Sequence, residues 1–528
     1  MKANKNIFQK FESFLESIPT KWPEFAVLCL YTILLAVITY YHEPWFDEAQ
    51  SWLIARSASL KEMFLTLPHY EGHPPFWWMI LAPFAKAGLS YEPTIKAINI
   101  FLCSFGVFLF LFKSPFKRTV KFLIPFTYFI FYQYGVISRC YCLVIIAFMF
   151  VSITYRNRNS SPFAYLSALM LLCFSHAFGT VVSGGLAIVW ILELWPFVFK
   201  DILYKKQFWA LALLLIWALF LISLLLPYSD TFATNLLQYE NTAVERFLFL
   251  IFIVPFNALT GVCNFYFLQD ASLNLTQILL ASPFMIALLF ILKGFNKFLL
   301  FFLPYLLFAL FASMVYFSMW HCGFAFLFIL FVFWVIAEEK YPFVYPSFIQ
   351  EHIKKLSKKL FYVIVLLILF LSVCCSFYNA QYDVKNQYDY SRSLAKIIKQ
   401  YHLEDKVIFS QWIVYSLTEP NKKILECATH LLHISILPYF EKNIINNLNF
   451  GSDAYPYDLH KMVDNESYYK EWAKGSKPDI KLGGNFPLDM VWPDISPEED
   501  DFIAFPLILE DNPPIYIRRS LAREIGLI

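Results

Sequence analysis

The sequence predicts a mostly α-helical, polytopic membrane protein of about 11 spans, ending in a small extracytoplasmic α/β domain. Three observations carry this. Of 528 residues, 59% are apolar and only 16% charged, where soluble proteins run near about half and a quarter. Apolar runs of about 17–21 residues, each long enough to cross a bilayer as a helix, recur from residue 25 to residue 377. From Tyr378 onward charges, prolines and asparagines return and the long runs stop. The chain therefore divides into a membrane domain, 1–377, and a soluble domain, 378–528. Residues 42–92 form the first outer loop of the membrane domain.

Taken in order, residues 1–24 carry Lys2, Lys5, Lys10 and Lys21, which the positive-inside rule places in the cytoplasm. Phe25–Tyr41 lacks a small-residue cleavage site and is followed by further spans, so it reads as a retained anchor rather than a signal peptide. The next loop is then outside. Within it Ala49, Leu53, Leu60, Met63, Phe64 and Leu67 recur at roughly helical spacing, a pattern suited to a helix lying flat at the lipid boundary. Phe76–Gly88 is apolar but too short for a full crossing and predicts a second surface or half-inserted helix.

Thr94–Phe112 crosses to a basic inner loop containing Lys113, Lys117, Arg118 and Lys121. Spans near 122–137 and 141–154 flank an outer turn, Ser138-Arg139-Cys140-Tyr141. Those near 162–178 and 180–198 meet at outer His176-Ala177-Phe178-Gly179, and a further one runs near 207–226. Counting Phe247–Leu259 as a crossing would put Lys293 and Lys297 outside and bury the soluble domain in the cytoplasm. Reading 228–275 as an outer loop with a re-entrant or surface helix restores the charge rule. Spans near 276–292, 298–317, 322–337 and 360–377 follow, and the C-terminus lies outside. In the terminal domain Ser393–Tyr401 reads as a helix, and Lys406–Ser410 and Asp501–Leu509 as strands. Asn274-Leu-Thr276 and Asn465-Glu-Ser467 fit the glycosylation sequon, a triplet common by chance.

Bulk composition excludes little else. A net charge of +2 with no basic, aromatic-interleaved patch gives no sign of a nucleic-acid partner. The ten cysteines sit mostly in apolar spans, where they act as small hydrophobes. A low-glycine, Lys/Asn/Phe/Ile-rich composition suggests an AT-rich bacterial genome and hence a plasma (inner) membrane.

The first outer loop concentrates groups able to do chemistry. Asp47 and Glu48 are adjacent acids. In the bland account Asp47 caps the surface helix and Glu48 favours its positive end; in the functional account Asp47 accepts a proton from a hydroxyl. Glu71 and His73 precede Pro74-Pro75, where the imidazole is either a solvated loop group or a donor to a phosphate. Arg56 falls on the apolar stripe, where a cation must snorkel or meet an anion such as a lipid phosphate. Arg139, Tyr141, His176, Trp320 and His321 lie on the same outer face by the charge-derived topology. Taken singly, each is more often an interfacial anchor.

Asp47-Glu48-Ala49, Glu71-Gly-His-Pro-Pro-Phe, Ser138-Arg139-Cys-Tyr141 and Phe174-Ser-His176-Ala-Phe-Gly179, with His321-Cys-Gly323-Phe324, resemble the polytopic glycosyltransferases of the GT-C fold. The nearest group is the protein O-mannosyltransferase and aminoarabinose-transferase branch with its uncharacterised bacterial members. The likeness covers about residues 25–200, in motif order and placement rather than in any one motif. It implies an inverting transfer of a hexose or pentose from a polyprenyl-phosphate donor to a hydroxyl on a glycan, lipid or protein acceptor. In it Asp47 would be the base, with Glu48 beside it. Arg56, Glu71, His73, Arg139, Tyr141, His176 and His321 would hold substrate and phosphate. Relatives commonly carry Glu-Lys-Pro-Pro where this chain has Glu71-Gly-His73-Pro-Pro, so their phosphate-contacting lysine is missing and His73 is the candidate for its role. No Asp-x-Asp stands out; no cofactor and no essential metal are expected. A transporter or flippase for a lipid-linked glycan is the alternative. It would show repeat symmetry and broken helices in matching halves, and neither is clear here. A sensor or assembly scaffold is a third class.

Overall fold

The structure is a computed structural model. It describes residues 7–198, 206–229, 242–262, 275–340, 342–345, 350–386, 388–410, 412–419, 422–429, 432–448, 465–489, 491–505 and 515–528. The helices before the first basic loop are α1 (Ile7–Ser17), α2 (Trp22–Tyr41), α3 (Phe46–Ser57), α4 (Leu60–Leu65), α5 (Leu67–Glu71), α6 (Phe76–Lys86) and α7 (Tyr91–Lys113). They continue as α8 (Arg118–Leu123), α9 (Tyr141–Tyr155), α10 (Pro162–Ser175), α11 (Ala177–Val198) and α12 (Lys206–Leu225). Next come α13 (Ala243–Phe252), α14 (Val254–Thr260), α15 (Leu275–Gly294), α16 (Phe298–Met314), α17 (Cys322–Glu339) and α18 (Glu351–Lys385). Residues from 388 on form α19 (Ser391–Gln400), β1 (Ile408–Ser410), β2 (Trp412–Glu419), β3 (Lys422–Thr429), α20 (Leu432–Ile436), α21 (Asn465–Lys474), β4 (Ile480–Leu482), β5 (Phe502–Ala504), β6 (Ile515–Arg518) and α22 (Arg519–Glu524).

The protein is mostly helical, with a small C-terminal sheet. Among the described residues six helices are long and apolar enough to cross a membrane: α2, α7, Ala177–Trp195 of α11, α12, Met319–Glu339 and α18. The count reaches seven if α13 and α14, bent by 43° at their junction, form one span. Tyr141–Tyr155, Pro162–Ser175, Ala281–Gly294 and Phe298–Met314 are apolar but shorter. This differs from the expected 11, and the clearest departure is at 122–137. That run is not one α-helix: α8 gives way to a 3₁₀ turn, Ile124–Phe126, and then to a π-helix, Phe129–Val136. Pro125 removes a backbone donor inside the run, and every residue of the π-helix is buried. Apolar composition over a buried, irregular segment looks the same in sequence as a span.

The chain falls into two compact units. The first contains Met1–His42, Lys96–Leu225 and Leu237–Asn386; the second contains Glu43–Ile95, Leu226–Leu236 and Gln387–Ile528. Residues 43–95 thus group with the residues from 387 on.

In the first unit α9 packs on α10 and α17, α10 on α11 and α12, α11 on α16, and α14 on α17 and α18. Its basic loop 113–121 is partly structural. Buried Arg118 donates to the carbonyls of Leu15, Ile18 and Thr20 and pairs with Glu24 at 3.0 Å, fixing the end of α1 against the start of α2. At the other end of α2, His42 Nδ1 lies 2.8 Å from Asp383 Oδ2 near the end of α18, and Lys96 Nζ donates to the His42 carbonyl at 2.7 Å. All three residues are buried.

In the second unit the four-stranded sheet has the order β1-β4-β6-β5, with β1 parallel to β4 and the other pairs antiparallel. β2 and β3 pair separately as an antiparallel hairpin from Trp412↔Thr429 to Glu419↔Lys422. Phe409, Trp472, Phe486, Leu488, Val491 and Phe502 form the core beneath the sheet. Asn447 extends the edge of β1 as a further strand would, accepting from Ser410 N–H and donating to Ser410 O, each at 2.9 Å. The expected helix near 393–401 is α19. The strands expected at 406–410 and 501–509 contain β1 and β5, with 506–509 outside the described residues. The triplet at Asn274 and the loop 230–241 also lie outside them.

Candidate functional site

The nine residues singled out in sequence divide between the units: Asp47, Glu48, Arg56, Glu71 and His73 lie in the second, and Arg139, Tyr141, His176 and His321 in the first. Each group has its own geometry.

In the second unit residues 46–71 are not one flat amphipathic helix but the series α3, α4 and α5. Ala49, Leu53, Met63 and Leu67 of the apolar stripe are buried, whereas Leu60 is exposed. α3 begins immediately after Trp45, whose N–H donates to Glu48 Oε2 at 2.9 Å. Glu48 is fully buried and closes the first turn as the acid of a capping box. The helix is thus capped by Glu48 and not by Asp47. Asp47, one residue earlier and half-buried, contributes its carbonyl to the Ser51 hydroxyl at 2.8 Å. Glu71 Oε1 accepts from Gln50 Nε2 at 2.9 Å, joining the end of α5 to α3. Gly72 at φ 65° ends α5 in a left-handed turn, a conformation that disfavours a β-carbon. The chain then re-enters helix at Phe76 behind Pro74-Pro75, with His73 half-buried and its Nδ1 shielded from solvent. Arg56 Nη1 donates to the Phe440 carbonyl at 2.8 Å. On this geometry at least part of the guanidinium serves the protein's own backbone.

In the first unit Arg139 occupies the turn between the π-helix and α9 and Tyr141 begins α9, the guanidinium 5.5 Å from the Tyr141 ring centre. Tyr141 stacks on Tyr134 at 4.5 Å and on His176 at 5.6 Å. His176 is the extended residue at which α10 ends and α11 begins, and its ring lies 5.4 Å from that of His321. Both imidazoles are 2% exposed. The Nδ1 of His176 accepts the Phe178 N–H at 3.2 Å, and that of His321 accepts the Ser318 N–H at 2.9 Å. With each Nδ1 used as an acceptor, the ring proton resides on Nε2. The two rings are therefore held as Nε2–H donors against Tyr141, whose ring also meets Arg139. Gly323 permits this packing, because a β-carbon there would fall 2.4 Å from Tyr134 Cζ and Oη.

No protein-family model matches the chain, and no curated protein or solved structure does.

Further charged groups gather around Glu43 and Glu92, at the two ends of the first loop. In the second unit Arg392 of α19 holds both carboxylate oxygens of Glu92, at 2.9 and 2.7 Å, and Tyr439 donates to the same carboxylate. Glu43 Oε1 accepts the Arg392 backbone N–H at 2.7 Å. Burial pushes the Glu43 carboxyl up to about 7, with Asp389 and Glu92 adding to the rise and Arg392 opposing it. Burial also raises Asp389. The partners lie about 300 residues and more apart in sequence, so no local pattern marks them.

Proposed function

We propose that the chain is an integral membrane glycosyltransferase of the GT-C kind, moving one sugar from a polyprenyl-phosphate donor to a hydroxyl acceptor on the outer face of a plasma membrane. In this reading the polypeptide crosses about 11 times, the shorter apolar helices and the irregular run 122–137 included, and residues 378–528 lie outside. The observation that carries it is the division of labour between adjacent acids: Glu48 is committed to capping α3, and Asp47 sits half-exposed on the turn so fixed. A cap that immobilises the helix start also immobilises the base.

The chemistry follows from such a base. Asp47 takes the proton of the acceptor O–H as its oxygen forms a bond to the anomeric carbon. The bond from that carbon to the phosphate oxygen breaks, and polyprenyl phosphate leaves from the opposite side, which inverts the centre. A phosphate leaving group requires cations and N–H donors rather than an acid. Arg139 and the Nε2–H groups of His176 and His321 are of that type, as is His73. The test is transfer of radiolabel from a panel of polyprenyl-phosphate hexoses and pentoses to lipid, glycan and peptide hydroxyls by the purified protein. Transfer that D47N abolishes while folding survives supports the reading. No transfer from any donor, or transfer that survives D47N, rejects it.

A further inference from the structure

Both ends of the acid-bearing outer loop are held by residues that follow the last membrane helix. Glu43 opens the loop, three residues before α3 begins, and Pro44 between them restricts the backbone. Glu92 closes it on the first turn of α7. Arg392 binds both, through its backbone N–H to Glu43 and its guanidinium fork to Glu92. The fork is the two-bond geometry in which arginine is not replaceable by lysine. Tyr439 adds a hydrogen bond to Glu92 and packs edge-on against Tyr91, whose ring also meets Trp52 of α3. α20 and the turn Leu437–Tyr439 pack directly on α3. Arg56 of α3 bonds to Phe440. Asp389 accepts from the Ser391 N–H and the Ser435 hydroxyl, tying α19 to α20.

We infer that Arg392, Glu92, Glu43 and Tyr439 are positioning residues: residues 389–392 and 432–440 set the pose of α3, and through it of Asp47, by clasping the two ends of the loop. The Arg392 guanidinium holds Glu92, its backbone N–H holds Glu43, and Asp389 lies close enough to raise the Glu43 carboxyl, so the charge balance of the cluster changes when Glu43 takes up a proton. Because the Glu43 carboxyl titrates near about 7, the neutral acid prevails at pH 6 and the anion, facing Asp389 and Glu92, at pH 8. The clasp is tighter on the acid side.

The helix-positioning claim stands on contacts alone; only its consequence for catalysis rests on the transferase reading, and the experiment separates the two. Hydrogen exchange of residues 46–57 is followed in the purified full-length protein at pH 6 and pH 8, as protection relative to the unstructured peptide rate. R392M should lower protection of α3 by about 10-fold or more, R392K by less, and peptides covering β4 should be unchanged. Wild type should lose protection between pH 6 and pH 8, and E43Q, a mimic of the protonated acid, should not. If R392M does not yield folded protein, Y439F carries the same test through a single hydrogen bond, with about a 3–10-fold loss. With an active donor from the panel above, R392M should lower kcat while KM for the donor stays within about twofold, and R392K should restore part of it. Protection of α3 unchanged in R392M, or in Y439F where that variant is used, overturns the inference, as does a pH response identical in E43Q. Altered protection with no transfer from any donor leaves the clasp standing and removes the transferase reading.

Discussion

Gly323→Ala tests how the buried aromatic and imidazole cluster is built. A β-carbon at 323 would lie 2.4 Å from Tyr134 Cζ and Oη and 2.7 Å from Phe129 Cδ1. To reach ordinary contact the Tyr134 ring must retreat by about 1 Å. It cannot do so alone, since its hydroxyl donates to the Trp320 carbonyl at 2.8 Å and its face stacks on Tyr141. Overpacking of this kind costs about 1–3 kcal/mol, and losing the hydrogen bond adds about 1 kcal/mol. The assay is thermal unfolding of the detergent-purified protein by tryptophan fluorescence, run as a cycle with Tyr134→Leu. G323A alone should destabilise. In the Y134L background it should cost at least about 1 kcal/mol less, because the atom it strikes is gone. Additive costs, or a neutral G323A, would refute the packing argument. They would also weaken the claim that His176 and His321 are held rigidly through Tyr141.

Three further outcomes follow from the described contacts. Asp383→Ala should destabilise the first unit by about 1–3 kcal/mol, since it removes the buried carboxylate 2.8 Å from His42 Nδ1 at the end of α2; unfolding midpoints of D383A against wild type check this. Asn447→Ala removes both bonds to Ser410 and leaves a buried N–H and C=O unmet at the edge of β1. A loss of about 1–3 kcal/mol is expected, with faster hydrogen exchange confined to residues around 408–410 and 480–482. Gly72→Ala places a β-carbon at φ 65° and should cost about 1 kcal/mol, read as a lowered unfolding midpoint, whereas Gly72→Asn should cost less.

The fold class was legible because bilayer-length apolar runs and their loss after residue 377 are composition, and composition survives without knowledge of contacts. Composition does not carry regularity: the run 122–137 has the hydropathy of a span, yet Pro125 and the π-helix interrupt the α-helix within it. The acids were legible as a pair, but their roles were inverted in the bland account. Glu48 at the third helical position is the capping-box position, and the signal was obscured because tryptophan rather than serine or threonine precedes it. Arg56 on an apolar stripe was expected to snorkel or meet an anion such as a lipid phosphate; the structure gives one of its N–H groups the Phe440 carbonyl, far along the chain. The same reason hides Arg392 with Glu92 and His42 with Asp383. Pairs separated by 300 and 341 residues leave no spacing to read.

The central claim is that Asp47, and not its neighbour, takes the proton. Single-turnover transfer from the best radiolabelled polyprenyl-phosphate sugar, measured in parallel for D47N and E48Q, tests it most directly. D47N should lower the chemical step by about 10²–10⁴-fold without weakening donor binding. E48Q keeps an acceptor oxygen for the Trp45 N–H and should cost far less. Equal losses in the two variants, or a larger loss in E48Q, would contradict the assignment.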